Sequence, residues 1–158
     1  MNNSNNLPPN FSIISGNILD CEGYIVHQCN CQTIGSRGLA TQIFNRFPYA
    51  NIYNNNNINR IPGNICITHN VIGLFSQNKP GKPDINETKN TRLKWFVECL
   101  NKILLIDYSQ MTYKSNIFNF PYMIGCGLAE GDWDTYYSIL VQFATTYPQY
   151  QVRIVKLP

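Results

Sequence analysis

The chain has 158 residues, of which 44% are hydrophobic and only 13% charged, with a formal net charge of +3 at pH 7. That length accommodates one domain with a proper core rather than two, and the weak, scattered charge contains no Lys/Arg run, which argues against a strong nucleic-acid footprint. No apolar run reaches the roughly 20 residues of a membrane span, and the polar residues 1–10 lack the pattern of a signal peptide, so an intracellular protein, cytoplasmic or nuclear and without a membrane partner, is expected.

Residues 1–10 read as a flexible tail and residues 11–158 as a single domain. The run 11–14 is a short strand that stops at Ser15-Gly16-Asn17. Residues 24–30 form a second strand, whose near-continuous apolar start suits a central parallel strand buried on both faces. After the turn-rich 32–38, Leu39, Ala40, Ile43, Phe44 and Phe47 make a helical stripe that Pro48 ends. Residues 51–59 are an Asn-rich loop, and the Asn excess is what an AT-rich genome would place at surface positions.

Residues 63–68 and 71–76 read as two strands joined at His69-Asn70, and 77–89, with Pro80, Gly81 and Pro83, as an irregular connection. Residues 91–106 are the clearest helix, with Leu93, Phe96, Val97, Leu100, Ile103 and Leu104 on one face. A strand at 116–120, a Gly-rich turn at 125–131, a helix at 133–144 and a strand at 152–156 complete the chain. This alternation predicts an α/β fold with helices covering a mostly parallel central sheet. The six cysteines show no CxxC, and with only His27 and His69 beside them zinc spacing is absent, so free thiols and no metal are expected.

Two loops carry the functional reading. Asn30-Cys31-Gln32-Thr33-Ile34-Gly35-Ser36-Arg37-Gly38-Leu39 leads from a strand end into a helix, and so does Ile124-Gly125-Cys126-Gly127-Leu128-Ala129-Glu130-Gly131-Asp132. In open α/β sheets ligands sit beyond the carboxyl ends of strands, at such loops. Glycine lets the main chain approach a ligand closely, and successive N–H groups before a helix form a concavity for phosphate. Two loops of this kind in one small domain point to a diphosphate.

The segments around Gly16-Asn17-Ile18, His27-Gln28-Cys29-Asn30, Gly35-Ser36-Arg37-Gly38-Leu39 and Gly125-Cys126-Gly127-Leu128 resemble the macrodomain family over residues 11–157. The resemblance is nearest to its branch of ADP-ribose 1″-phosphate phosphatases and terminal ADP-ribose protein glycohydrolases. It implies a three-layer α/β/α macrodomain with a mixed, mostly parallel sheet, and ADP-ribose or a related nucleotide as the ligand, with no cofactor. Asn17 stands where the family usually has the Asp that meets the adenine amino group, and Ile18 would pack near that ring. Gln28 and Asn30, with Asn30 on the distal ribose, belong to the implied binding set. Gly35, Ser36, Arg37, Gly38 and Leu39 would wrap the ribose and one phosphate, and Ile124, Gly125, Cys126, Gly127 and Leu128 the diphosphate.

Two departures bear on chemistry. Arg37 brings a cation into the first loop, where it either clamps a terminal phosphate bidentately or points to water. The glycohydrolase branch uses a Lys and an Asp where this chain has Gln77 and Ala129, so a lysine adduct is not expected. The candidates for acid–base work are His27, Glu130 and Asp132, with Asn30 as orienter. Asp132 equally suits a helix N-cap, and His27 a hydrogen-bonded structural role. The resemblance implies hydrolysis, as a 1″-phosphate phosphatase or as an enzyme removing ADP-ribose from a modified macromolecule. The alternative is a module that only binds ADP-ribose or a related nucleotide signal.

Overall fold

A computed structural model describes residues 6–158; of the expected tail, residues 1–5 lie outside the described residues. Alternation of side chains along the strands builds two cores on one sheet. Strands β1 (Phe11–Ser15), β2 (Tyr24–Gln28), β3 (Ile65–Thr68), β4 (Val71–Leu74), β5 (Ile117–Pro121) and β6 (Gln151–Lys156) lie in the order β1-β6-β5-β2-β4-β3. All neighbours are parallel except β3 and β4, an antiparallel hairpin at one edge. The hairpin turns at His69, whose φ of 51° lies in the left-handed region.

Tyr24 and Val26 of β2 enter one core with Phe118 and Phe120 of β5, while Ile25 enters the other. Helices α2 (Lys89–Leu104) and α3 (Trp133–Thr146) cover the first face through Phe96, Leu100, Ile103, Tyr136 and Leu140. Helix α1 (Leu39–Arg46) covers the second through Ile43 and Phe44. Burial of both faces of β2 follows from this sandwiching, as the apolar run predicts.

Several boundaries differ from expectation for local reasons. Strand β2 stops at Gln28 because Asn30 turns the chain with its side chain, accepting from the N–H groups of Gln32 at 3.0 Å and Thr33 at 2.9 Å. Helix α2 starts at Lys89, two residues early, since Thr88 caps it by accepting from Thr91 N–H at 3.1 Å. Val97, expected on the apolar face, is exposed, and Arg92 is buried in that helix instead. The 51–59 loop contains a 3-10 turn, Ile52–Asn54, that buries Ile52 and Tyr53. Near the chain start, Asn10 Nδ2 donates to the carbonyls of Ala144 at 2.9 Å and Tyr150 at 2.7 Å, tying that residue to the end of α3.

Candidate functional site

The carboxyl ends of β2, β4 and β5 open onto a cleft of about 1200 Å³. Its floor and walls come from Gln28 and Asn30 after β2, the first Gly-rich loop, Gln77, Pro80, Gly81 and Lys82 after β4, and Gly125, Gly127 and Leu128 in the second loop. This is where an open α/β sheet places its ligand.

The first loop is shaped by Asn30. Its Oδ1 accepts from Gln32 N–H, Thr33 N–H and Thr33 Oγ1, and its Nδ2 donates to the Tyr53 hydroxyl at 3.3 Å. The Asn30 N–H donates to the same hydroxyl at 3.0 Å. Arg60 lies over the Tyr53 ring at 5.2 Å and donates to Thr33 O at 2.6 Å, closing the set. Asn30 therefore spends its oxygen on its own loop and keeps one amide hydrogen free. Burial pushes the Tyr53 hydroxyl well above its ordinary range, so it stays neutral and serves as an anchor.

Gly38, with φ 58°, stands at the N-cap of helix α1, and no side chain caps it. Its first N–H groups therefore have no side-chain acceptor among the described residues, and Leu39 and Ala40 line the cleft there. Arg37 is exposed at the cleft wall and pairs with no carboxylate among the described residues.

The second loop reaches its shape through Cys126 N–H to Met123 O at 2.9 Å, Glu130 N–H to Gly127 O at 3.0 Å and Gly131 N–H to Gly125 O at 2.9 Å. The N–H groups of Gly125, Gly127, Leu128 and Ala129 find no acceptor among the described residues. Gly125 has φ 75°, and a Cβ there would stand 2.7 Å from Tyr136 Cε1 and 2.9 Å from Gln28 Oε1. Only glycine lets the loop close so tightly over the strand end.

Under this loop lies a pair of amides. Gln77 Nε2 donates to Lys79 O at 2.9 Å, which turns Gln77 Oε1 toward Gln28 Nε2, with which it hydrogen-bonds. That leaves Gln28 Oε1 buried beside Gly125 without a partner. At the cleft mouth Lys82 Nζ lies 3.5 Å from Glu130 Oε1, joining the opposite walls with both groups exposed.

Of the residues expected to form the site, Gln28, Asn30, Gly35, Ser36, Arg37, Gly38 and Leu39 line the cleft from one side, and Gly125, Gly127 and Leu128 from the other. Ile124 and Cys126 belong to the loop's underside: Ile124 is core, and the Cys126 thiol donates to Ile124 O at 3.3 Å. Burial pushes that thiol up to about 11. Asn17 and Ile18 lie outside the cleft lining. Asn17 Oδ1 accepts from Leu19 N–H at 3.0 Å and caps a short 3-10 turn, and Ile18 is buried in the second core.

Of the three expected acid–base groups, Glu130 lines the cleft and the other two lie outside its lining. Asp132 is exposed at the start of α3 and accepts from Thr135 Oγ1 at 2.6 Å, in the N-cap position. His27 is 2% exposed, edge-on to Phe44 at 5.7 Å, on the face of β2 that packs under α1. His27 itself is not among the residues that line the cleft. Tyr53 and Arg60, which do shape the cleft, were hidden in a stretch that reads as polar loop. The aromatic-cation pair seven residues apart is the signal that could have found them.

Burial pushes the His27 imidazole down to about 4 from an unfolded value near 6.5. The unfolded chain thus binds a proton in this window that the folded chain refuses. Stability present above 6.5 is lost as pH falls toward 4, at most about 3 kcal/mol by linkage. Urea denaturation at about pH 7 and about pH 4.5 should differ by about 2 kcal/mol more in the wild type than in His27→Phe. Equal differences would show that His27 keeps its solution titration.

No family model matches the chain, and no curated protein does. Solved structures do. The macrodomain of Mycobacterium tuberculosis DarG superposes with a TM-score of 0.66 at 16% identity, covering 92% of this chain and 96% of that one. A macrodomain from Oceanobacillus iheyensis gives 0.62 at 19% identity, covering 92% and 83%. Thermosipho africanus DarTG in complex with ADP-ribose gives 0.61 at 15% identity, covering 95% of this chain and 42% of that one. The three-layer arrangement, with its mixed and mostly parallel sheet, is the macrodomain fold. Among the described residues no helix is long and apolar enough to cross a membrane.

Proposed function

We propose that this macrodomain-fold chain binds ADP-ribose or a close derivative, with the diphosphate held between the two Gly-rich loops. The observation that carries the reading is the set of N–H groups at Gly125, Gly127, Leu128 and Ala129 without an acceptor among the described residues, in a cleft whose lining also includes an uncapped helix start. Backbone donors of this kind recognise phosphate oxygens without a fixed charge of their own, and Arg37 and Lys82 add cations at the wall. The neighbour solved with ADP-ribose bound has the same fold, which favours this nucleotide over others carrying a diphosphate.

For turnover, two readings differ. Hydrolysis, whether of ADP-ribose 1″-phosphate or of ADP-ribose attached to a macromolecule, would have Glu130 as the carboxylate in the cleft wall. The simpler reading, a binding module, is favoured by the positions of His27 and Asp132 away from the cleft and by the neutral Gln28–Gln77 pair at its floor. Calorimetry decides the shared claim: ADP-ribose binds and adenosine, which lacks the diphosphate, binds at least about tenfold more weakly. Absence of heat with ADP-ribose at about 1 mM, equivalent to about 4 kcal/mol of binding, overturns it. Incubation with ADP-ribose 1″-phosphate and with ADP-ribosylated protein then separates the readings, since release of phosphate or ADP-ribose, lost in Glu130→Gln, marks an enzyme.

A further inference from the structure

Beneath the cleft lies a charged pair that the diphosphate reading does not use. Arg92 of α2 is 2% exposed and Glu87, just before that helix, is 5% exposed. Arg92 Nε donates to Glu87 Oε2 at 2.7 Å. Nη1 donates to Gly81 O at 2.6 Å and to Ala129 O at 3.4 Å, and Nη2 to Lys79 O at 3.2 Å. Glu87 in turn accepts from the N–H groups of Asn78 and Lys79, each at 3.2 Å.

A buried ion pair is a poor device for stability alone, because desolvation offsets most of its attraction. Its placement here has another use. Gly81 and Ala129 line the cleft from two different segments, 77–82 and the second Gly-rich loop, and one guanidinium nitrogen bonds the carbonyls of both. Lys79 O, a third partner, also accepts from Gln77, the residue that orients Gln28 on the cleft floor. One planar group therefore fixes these two lining segments against each other and, through Lys79, the floor. A lysine at this position would keep the charge for Glu87, but its single nitrogen cannot hold three carbonyls and a carboxylate in this spread.

We infer that Arg92 is a positioning residue for the ligand cleft: held by Glu87, it ties the 77–82 wall to the second Gly-rich loop and so spaces the backbone donors for their ligand. The inference rests on the ADP-ribose reading for its ligand and on the geometry alone for the tie. The test compares the full chain with Arg92→Lys by ADP-ribose calorimetry, by thermal melting and by hydrogen exchange of residues 78–82 and 127–131. Arg92→Lys should remain folded at the titration temperature and lose at least about tenfold in affinity, as displacement of site groups by about 1 Å commonly does. Exchange should quicken in both segments while β2 and β5 stay protected.

If Arg92→Lys fails to fold, the double variant Glu87→Gln/Arg92→Gln, which leaves no lone buried charge, takes its place. Affinity within twofold of wild type in a folded variant overturns the inference, and so does a loss that only follows the unfolded fraction. Should the wild type bind no ADP-ribose, the functional reading fails, while the exchange comparison still decides the tie. Unchanged exchange in either segment overturns it.

Discussion

Arg92→Met is expected to lower stability by about 3–5 kcal/mol, the cost of leaving one member of a buried pair behind. The methionine fills much of the space but offers no donor. Glu87 then keeps a buried carboxylate with only the Asn78 and Lys79 N–H groups to meet it, and the carbonyls of Gly81 and Ala129 lose their donor. For a domain of this size the thermal midpoint should fall by about 10 °C. Differential scanning calorimetry measures it. A loss below about 1 kcal/mol would show that the carboxylate is relieved by protonation or water, and that the pair contributes less than its burial implies.

Gly125→Val is the second large effect, and its worth lies in the contrast with Gly127→Val. At Gly125 a valine must take a φ near 75° and place its Cβ into Tyr136 and Gln28. Left-handed backbone costs an L-residue about 1–2 kcal/mol and overpacking about 1–3 more, so a loss of about 3 kcal/mol in urea denaturation is expected. At Gly127 a Cβ would meet nothing within 4 Å, and the backbone is not in the left-handed region. Gly127→Val should change stability by less than about 0.5 kcal/mol. It should nevertheless weaken ADP-ribose binding if the proposed reading holds, because the branched side chain would occupy the cleft lining where that reading places the diphosphate. A Gly127→Val protein that binds like wild type would remove the second loop from the ligand's path.

The periodic parts of this fold are readable from the residues themselves. The apolar run Tyr24-Ile25-Val26 implies a strand buried on two faces, and the structure sandwiches β2 between two cores. The two strand–loop–helix segments with their glycines likewise fall on opposite sides of one cleft. Local rules suffice there because turn glycines and apolar repeats act over a few residues.

What stays hidden depends on residues far apart in sequence. Nothing local says that Gln77 meets Gln28, or that Tyr53 anchors Asn30, because strand order creates both contacts. Arg92 is the instructive intermediate. It shares a helix face with Phe96, Cys99 and Ile103, all buried, at the spacing i, i+4, i+7 and i+11. A cation on such a stripe marks a buried partner, but its identity as Glu87 and the carbonyls of two loops appears only in three dimensions. Asp132 and His27 are open to a structural role on sequence alone, and the structure shows such contacts: His27 packs edge-on to Phe44, and Asp132 accepts from Thr135 Oγ1 at the start of α3.

The pairing of β1 with β6 has a bearing on biosynthesis. Phe11 aligns with Val152, so a strand at one end of the described chain can find its only sheet neighbour at the other. At about 5–20 residues per second of translation, β1 waits on the order of ten seconds before that partner exists. During that interval Phe11 and its strand edge lie open to any chaperone or neighbouring nascent chain, and the sheet can close only once β6 has left the ribosome.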